Sequence, residues 1–358
     1  MEGAHMPNDA AGAQGEAMPR EKSCRTDELA SRVGTYATLC ASATERAQLV
    51  SAELMDTINH LKQERDAAIL AHYYVAPEVQ AVADYVGDSF YLAKLAKTLP
   101  QSTIVLAGVK FMGESAKLLN PAKTVLLPEP AADCPMAHMV ARDAVDRARA
   151  RYGDDLAVVC YVNSTMEIKS WSDVCVTSSN AVKIVAELPQ AHILFIPDQN
   201  LGRHVARQAP QKHVILNEGY CPRHHRITAR QIEAAMNEHP AALVLAHPEC
   251  TQEVLDKADY IGSTAGIIDY AQKSSAQEFI VVTVEGILFE LERRTQGTGK
   301  RFYFPQERLA CKNMDAVTLP KLVSCLVNGT GEVTIRHDDA MAARAKRALD
   351  RMLEYASR

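Results

Sequence analysis

Three stretches of this chain carry the same landmarks in the same order, so it should fold as three copies of one supersecondary unit. Apolar, strand-like runs over 68–74, 157–163 and 243–249 end in polar residues, with His72, Tyr161 and His247 spaced 89 and then 86 residues apart. Hydroxyl-bearing residues ahead of helix-forming stretches, at Ser89, Ser178 and Thr264, keep the same two intervals. A second strand, a helix and a third strand follow in each copy, with strands over 104–109 and 124–127, 193–197 and 213–216, and 279–283 and 301–304. Each copy closes on a cysteine before a helix signal, at Cys134, Cys221 and Cys311, 87 and then 90 residues apart.

Strands alternating with helices imply the α/β class, here three similar α/β/α units with short parallel sheets arranged around a pseudo-threefold axis. Continuous apolar strands such as Ile193-Leu194-Phe195-Ile196 fit sheets covered on both faces. The units should span 43–135, 136–222 and 223–312, with 313–358 a helical segment closing onto the first. An amphipathic helix is expected over 45–64, with Leu49, Leu54, Ile58 and Leu61 on its apolar face. Thr228 to Gln231 has the form of a capping box, and Thr318-Leu319-Pro320 places a proline in a first helical turn. Ser89, Ser178 and Thr264 stand where helix N-caps are expected. Ligands of open parallel sheets bind outside the carboxyl ends of the strands, so all three units should aim polar residues and cysteines at one cleft.

Residues 1–42 are rich in Ala, Gly, Pro and charge and lack the apolar stretch of a secretory signal, so they are expected to be a disordered extension. A net charge of −5 gives no basic face, which argues against nucleic acid and anionic membranes as partners. No run reaches the ~20 apolar residues of a membrane span. Nine cysteines form an odd set without disulfide-like spacing, which fits a reducing cytoplasm.

Three thiolates at one point suit a 4Fe-4S cluster held through three of its irons. Zinc with a histidine or water as fourth ligand is the other soft-ligand choice, and three unligated buried thiols are the plain alternative. Cys160, Cys175, Cys250 and Cys325 break the period and read as packing residues, with Cys250, beside Glu249, the most open to another role. An iron without a protein ligand can act as a Lewis acid toward a substrate oxygen. Glu249 would be a general acid or base if burial raises its pKa. His224, three residues after Cys221, is a spare ligand or a substrate contact, with His225 beside it at the surface. Helix N-termini carrying hydroxyls suit phosphate and carboxylate.

From residue 68 to 328 the chain resembles the quinolinate synthase family. The matching motifs include Ala71-His72-Tyr73-Tyr74, Val86-Gly87-Asp88-Ser89, Tyr161-Val162-Asn163 and Thr177-Ser178-Ser179-Asn180. Asp198-Gln199-Asn200-Leu201-Gly202-Arg203, His247-Pro248-Glu249-Cys250, Gly262-Ser263-Thr264 and Cys311-Lys312-Asn313-Met314 continue the match. The resemblance implies three α/β domains around one 4Fe-4S cluster with an open iron, ligated by Cys134, Cys221 and Cys311. It implies condensation of iminoaspartate (iminosuccinate) with dihydroxyacetone phosphate to quinolinate, with loss of phosphate and two waters, in NAD biosynthesis. His72, Ser89, Tyr161, Asn163, Ser178, Ser263 and Thr264 would bind the imine, with His224 and His247 in substrate contact. Tyr74 would position and tautomerise the intermediate, and Glu249 would move protons. L-aspartate oxidase is the implied source of the imine. The chain departs from the family where Val284, followed by Glu285, stands in place of an acidic residue.

Other three-cysteine cluster enzymes, such as a reductase of isoprenoid synthesis and the diphthamide-forming radical enzymes, use the cluster to donate electrons. A non-catalytic iron–sulfur sensor is a third class. Dependence on an electron donor separates the electron-donating enzymes, and dependence on Glu249 the sensor.

Overall fold

The structure, a computed structural model, describes residues 28, 30, 31, 43–305, 309–336 and 339–358. The expected extension over 1–42 otherwise lies outside the described residues. Three four-stranded sheets follow one another along the chain. The first contains β1 (Ala67–His72), β2 (Tyr85–Gly87), β3 (Thr103–Ala107) and β4 (Thr124–Leu126). The second contains β5 (Leu156–Tyr161), β6 (Val174–Val176), β7 (His192–Ile196) and β8 (His213–Leu216). The third contains β9 (Leu243–Ala246), β10 (Tyr260–Ile261), β11 (Glu278–Val282) and β12 (Arg301–Tyr303). Their orders, β2-β1-β3-β4, β6-β5-β7-β8 and β10-β9-β11-β12, are the same, and every pairing is parallel. The chain is therefore α/β, with three similar units.

Each sheet has one strand more than the sequence suggested. The additional strands β2, β6 and β10 are two or three residues long, too short to carry a hydrophobic period. A repeated aspartate anchors each of them. Asp84, Asp173 and Asp259, immediately ahead of the short strand, accept from the backbone N–H of Ile69, Val158 and Val244 at 2.8, 2.7 and 2.8 Å. Their own N–H groups donate to the carbonyls of the same three residues. A repeated lysine does comparable work one residue before each last strand. Lys123, Lys212 and Lys300 donate to carbonyls just beyond or within the last turn of the helices Ser89–Ala96, Ala181–Glu187 and Thr264–Lys273. A cation there satisfies carbonyls that the helix leaves unpaired and complements its dipole.

Both faces of the central strands are covered, as continuous apolar runs require. In the third sheet Val244, Ala246, Ile280 and Val282 enter one apolar cluster, while Leu245, Phe279 and Val281 enter the cluster on the other face. The first two units share one core with the terminal helices.

Three local expectations change. The helix expected over 45–64 is two helices, Ala43–Gln48 and Ala52–Glu64, because Ser51 turns out of the helix and accepts from Leu54 N–H as an N-cap. Leu54, Ile58 and Leu61 are buried as the pattern implied. The N-cap positions belong to Asp88, Asn180 and Ser263, not to Ser89, Ser178 and Thr264. The terminal helix Leu319–Asn328 packs on Ala52–Glu64 and β3 of the first unit, but Ala340–Ser357 packs mostly on Met166–Ser170 and β6 of the second. The capping box at Thr228 and the proline in the first turn after Thr318 are both present. No helix among the described residues is long and apolar enough to cross a membrane.

Replacing Asp259 by alanine leaves Val244 N–H without its acceptor, at a cost of about 1–3 kcal/mol. Thermal unfolding of the metal-free protein is expected to shift down by about 2 °C or more; an unchanged Tm would show that the repeated aspartates do not anchor the sheets.

A candidate active site at the carboxyl ends of three sheets

Because all strands are parallel, each unit presents its strand-ending loops at one end, and the three units turn those ends to one cavity. It encloses about 930 Å³, counting its open mouth. Equivalent positions from the three units line it in sets. His72, Tyr161 and His247 lie at the ends of β1, β5 and β9 or one residue past them, and Tyr74, Asn163 and Glu249 two residues further on. Ser89, Ser178 and Thr264 follow the short strands. Cys134, Cys221 and Cys311 come after the last strands, with His224 beyond Cys221. Of the residues proposed from sequence, Ser263 alone does not line the cavity; its hydroxyl accepts from Gly266 N–H at 3.2 Å and caps the helix. The side chains of Asp88 and Ser263 cap the helices Ser89–Ala96 and Thr264–Lys273, and Ser89, Ser178 and Thr264 line the cavity.

Local anchors fix these side chains. Tyr74 backbone passes so close to Gly286 that a Cβ there would lie 2.7 Å from Tyr74 Cα, locking the first unit against the third. Asp198, fully buried, accepts from Asn200 and Leu201 N–H through one oxygen and from Cys221 N–H at 3.1 Å through the other. Asp133 accepts from Cys134 N–H at 2.8 Å. Among the described cysteines, Cys160, Cys175, Cys250 and Cys325 are buried away from the cavity, which leaves the three periodic thiols facing it without disulfide partners. This donor set fits a metal group held by three thiolates. Burial first, then the neighbouring Cys311 and Glu249, push the Cys134 thiol up to about 12, and burial raises Cys221 and Cys311 as well. Loading a metal group therefore expels protons from these thiols.

Glu249, 3% exposed, is the electrostatic centre of the cavity. Burial opposes its ionisation, but the adjoining His224 and hydrogen bonds from His224 and Tyr161 outweigh that, holding the carboxyl below the usual carboxylate range. The expectation that burial would raise it is thus reversed, because the site supplies donors along with the burial. His224 Nδ1 lies 2.7 Å from Glu249 Oε2 and 3.3 Å from Cys221 Sγ, so Cys221, His224 and Glu249 form a compact set with ligand atoms within 4.8 Å of one another. His72 and His247 are held neutral, their pKa values lowered by burial to about 4 and about 3. His72 Nδ1 accepts from Tyr74 N–H at 3.1 Å and His247 Nδ1 from Glu249 N–H at 3.3 Å, which leaves Nε2 of each ring to carry the proton. His247 Nε2 is 3.3 Å from Ser178 Oγ. Burial also keeps the Tyr74 and Tyr161 phenols protonated. Asn163 Oδ1 is buried with no hydrogen-bond partner among the described residues, an acceptor open to a ligand.

Thr283, fully buried, was not singled out from the sequence. Its hydroxyl lies 2.9 Å from His224 Nε2 and 2.7 Å from the Tyr74 hydroxyl, which is 2.7 Å from Thr264 Oγ1. A continuous hydrogen-bonded chain thus runs from Glu249 through His224, Thr283 and Tyr74 to Thr264. The repeat gave no hint of it, because the equivalent positions are Gly108 and Pro197. Val284 forms an apolar part of the wall, and Glu285 does not line the cavity. His225 faces away, stacked on Tyr220, and Cys250 is fully buried.

The family described as quinolinate synthetase A protein matches residues 56–354. A relative named quinolinate synthase from Fusobacterium nucleatum is 49% identical over 303 residues, covering 85% of this chain and 99% of the relative. Proteins of the same name from Caldicellulosiruptor bescii and Clostridioides difficile are 45% and 44% identical, over 84% and 85% of this chain and 98% of each relative.

The two neutral histidines make stability depend on acidity. Between pH 6.5 and about 4, unfolded chains take up protons that folded His72 and His247 refuse, so stability falls as pH drops through that window. Each group contributes a loss on the order of 3 kcal/mol. Denaturation of the cluster-free protein across this range, beside a His72→Gln variant, is expected to show a shallower slope for the variant. Parallel slopes would show that His72 is not held neutral by burial.

Proposed function

Since the chain belongs to the quinolinate synthetase A family, whose members are enzymes of NAD biosynthesis, we propose that it condenses iminoaspartate with dihydroxyacetone phosphate to quinolinate, releasing phosphate and two waters. The observation that carries this reading is the single cavity in which three units gather three thiols, an ionised glutamate and a ring of neutral donors. In this reading Cys134, Cys221 and Cys311 hold one 4Fe-4S cluster. Its fourth iron, without a protein ligand, supplies Lewis-acid polarisation of a substrate oxygen when the cluster is bound.

The chain's own residues supply binding and proton movement. His72, Ser89, Tyr161, Asn163, Ser178 and Thr264 offer hydroxyl, phenol, amide and ring N–H donors, which suit two carboxylates on one small molecule. Ser89 and Thr264 open helices, so backbone N–H groups add to the donor field. Ser263 acts through the backbone it caps. Glu249 is ionised at rest and so starts as a base, taking a proton from carbon and returning it to a departing hydroxyl. His224 relays the charge change through Thr283 to Tyr74, whose hydroxyl tautomerises the condensed intermediate. His247, neutral and hydrogen-bonded to Ser178, orients the same region. We place the unit bounds at 43–135, 136–222 and 223–312, with 313–358 as a closing segment. The protein acts in the cytoplasm on small molecules, with L-aspartate oxidase as the source of the imine and no nucleic-acid or membrane partner.

The reading is tested by anaerobic assay of the cluster-loaded protein with iminoaspartate generated in situ and dihydroxyacetone phosphate, in the absence of reductant. Quinolinate and phosphate should form in equal amounts; a strict requirement for an electron donor would sink it. Glu249→Gln is expected to lower turnover about 10²- to 10⁴-fold with iron content unchanged. Alanine at Cys134, Cys221 or Cys311 should each abolish iron and sulfide loading, while Cys160→Ala retains both. A colourless wild type that binds zinc instead would overturn the cluster assignment.

A further inference from the structure

We infer that Arg223 is the anchor for the phosphate of the phosphorylated substrate. This assignment rests on the condensation proposed above and extends it to a residue outside the repeated sets. Arg223 lines the cavity, half-buried, and is the one lysine or arginine among its lining residues. Among the described residues its guanidinium makes no hydrogen bond or ion pair with another side chain or carbonyl. Other half-buried arginines are engaged: Arg149 with Asp173, and Arg294 with Glu290 and Asp269. Its backbone is set by the turn that also places His224, with His225 N–H donating to Cys221 carbonyl at 3.0 Å. The side chain therefore enters on the cysteine side of the cavity, where its charge favours the Cys311 thiolate.

The charge balance explains why such a group is needed. The other donors of the cavity are hydroxyls, phenols, the amides of Asn163 and Asn313 and three imidazoles, of which His72 and His247 are held neutral by burial and His224 is paired with Glu249. Glu249 and the three thiolates of a loaded site add negative charge. Neutral donors can orient a carboxylate or a phosphate, but a phosphate monoester approaching that negative field is held more tightly with a cation beside it. An arginine fork meets two phosphate oxygens at once, a match that a lysine ammonium makes only as a point charge. With carboxylates held by the hydroxyl sets and phosphate by Arg223, the two substrates would enter with their reacting carbons between these two regions.

The test compares cluster-loaded wild type with Arg223→Gln and Arg223→Lys. For Arg223→Gln, KM for dihydroxyacetone phosphate should rise about tenfold or more, with KM for iminoaspartate within about twofold of wild type. Inorganic phosphate should inhibit wild type competitively against dihydroxyacetone phosphate, and far more weakly in Arg223→Gln. Arg223→Lys should fall between the two. Unchanged KM and phosphate inhibition at normal iron content would overturn the assignment, as would equal rises in KM for both substrates. If Arg223→Gln loses its iron, Arg223→Lys decides, and wild-type KM there overturns the assignment. A wild type that makes no quinolinate would instead sink the underlying functional reading.

Discussion

All twelve strands run parallel to their neighbours within their sheets, and the placement of the chemistry depends on this. A parallel sheet separates its loops into two kinds: those that enter strands and those that leave them. The leaving loops of three such sheets meet at one cavity, and the segments after all strands but β7 contribute between one and four residues each to its lining. The repeated aspartates and lysines serve this arrangement, since they hold the shortest strands and the helix ends in place without occupying the cavity. Rigid strand ends are a better support for a site than long loops, whose backbone would need its own satisfaction.

Burial has opposite consequences for different groups in the cavity. It keeps two imidazoles and two phenols neutral, which makes them donors of fixed direction. It raises the thiols, so that they exchange protons for metal instead of standing as bare charges. It would do the same to Glu249, yet His224 and Tyr161 reverse the balance and leave a carboxylate. Thr283 joins His224 to Tyr74, so that Glu249 and Tyr74 are connected through three successive hydrogen bonds.

Much of this was legible in the sequence because the repeat makes errors visible: a landmark misplaced in one unit would fall out of step with the others. The α/β class, the three units and the polar and cysteine residues that recur around the cavity could be read from the positions of His72, Ser89, Cys134 and their counterparts. What was lost had physical causes. Strands of two or three residues, such as Tyr260–Ile261, have no period to read. The N-caps at Asp88, Asn180 and Ser263 were displaced by one or two positions, because several polar residues in a row can all serve as caps. The two helices within 43–64 share one apolar face, and only the geometry of Ser51 separates them. Thr283 and Arg223 interrupt the repeat, and a reading built on repetition passes over what occurs once.

The positions where the repeat fails have a consequence for recognition. A cavity built from three equal units would offer a small substrate three equivalent poses related by rotation, two of them unproductive. Tyr74, Asn163 and Glu249 occupy equivalent places with different chemistry, as do Gly108, Pro197 and Thr283. These differences lift the rotational degeneracy, because the carboxylate of Glu249, the phenol of Tyr74 and the amide of Asn163 each stand at one of the three places and set a different environment there. Duplication supplied the enclosure, and divergence at a few strand ends gave it a direction.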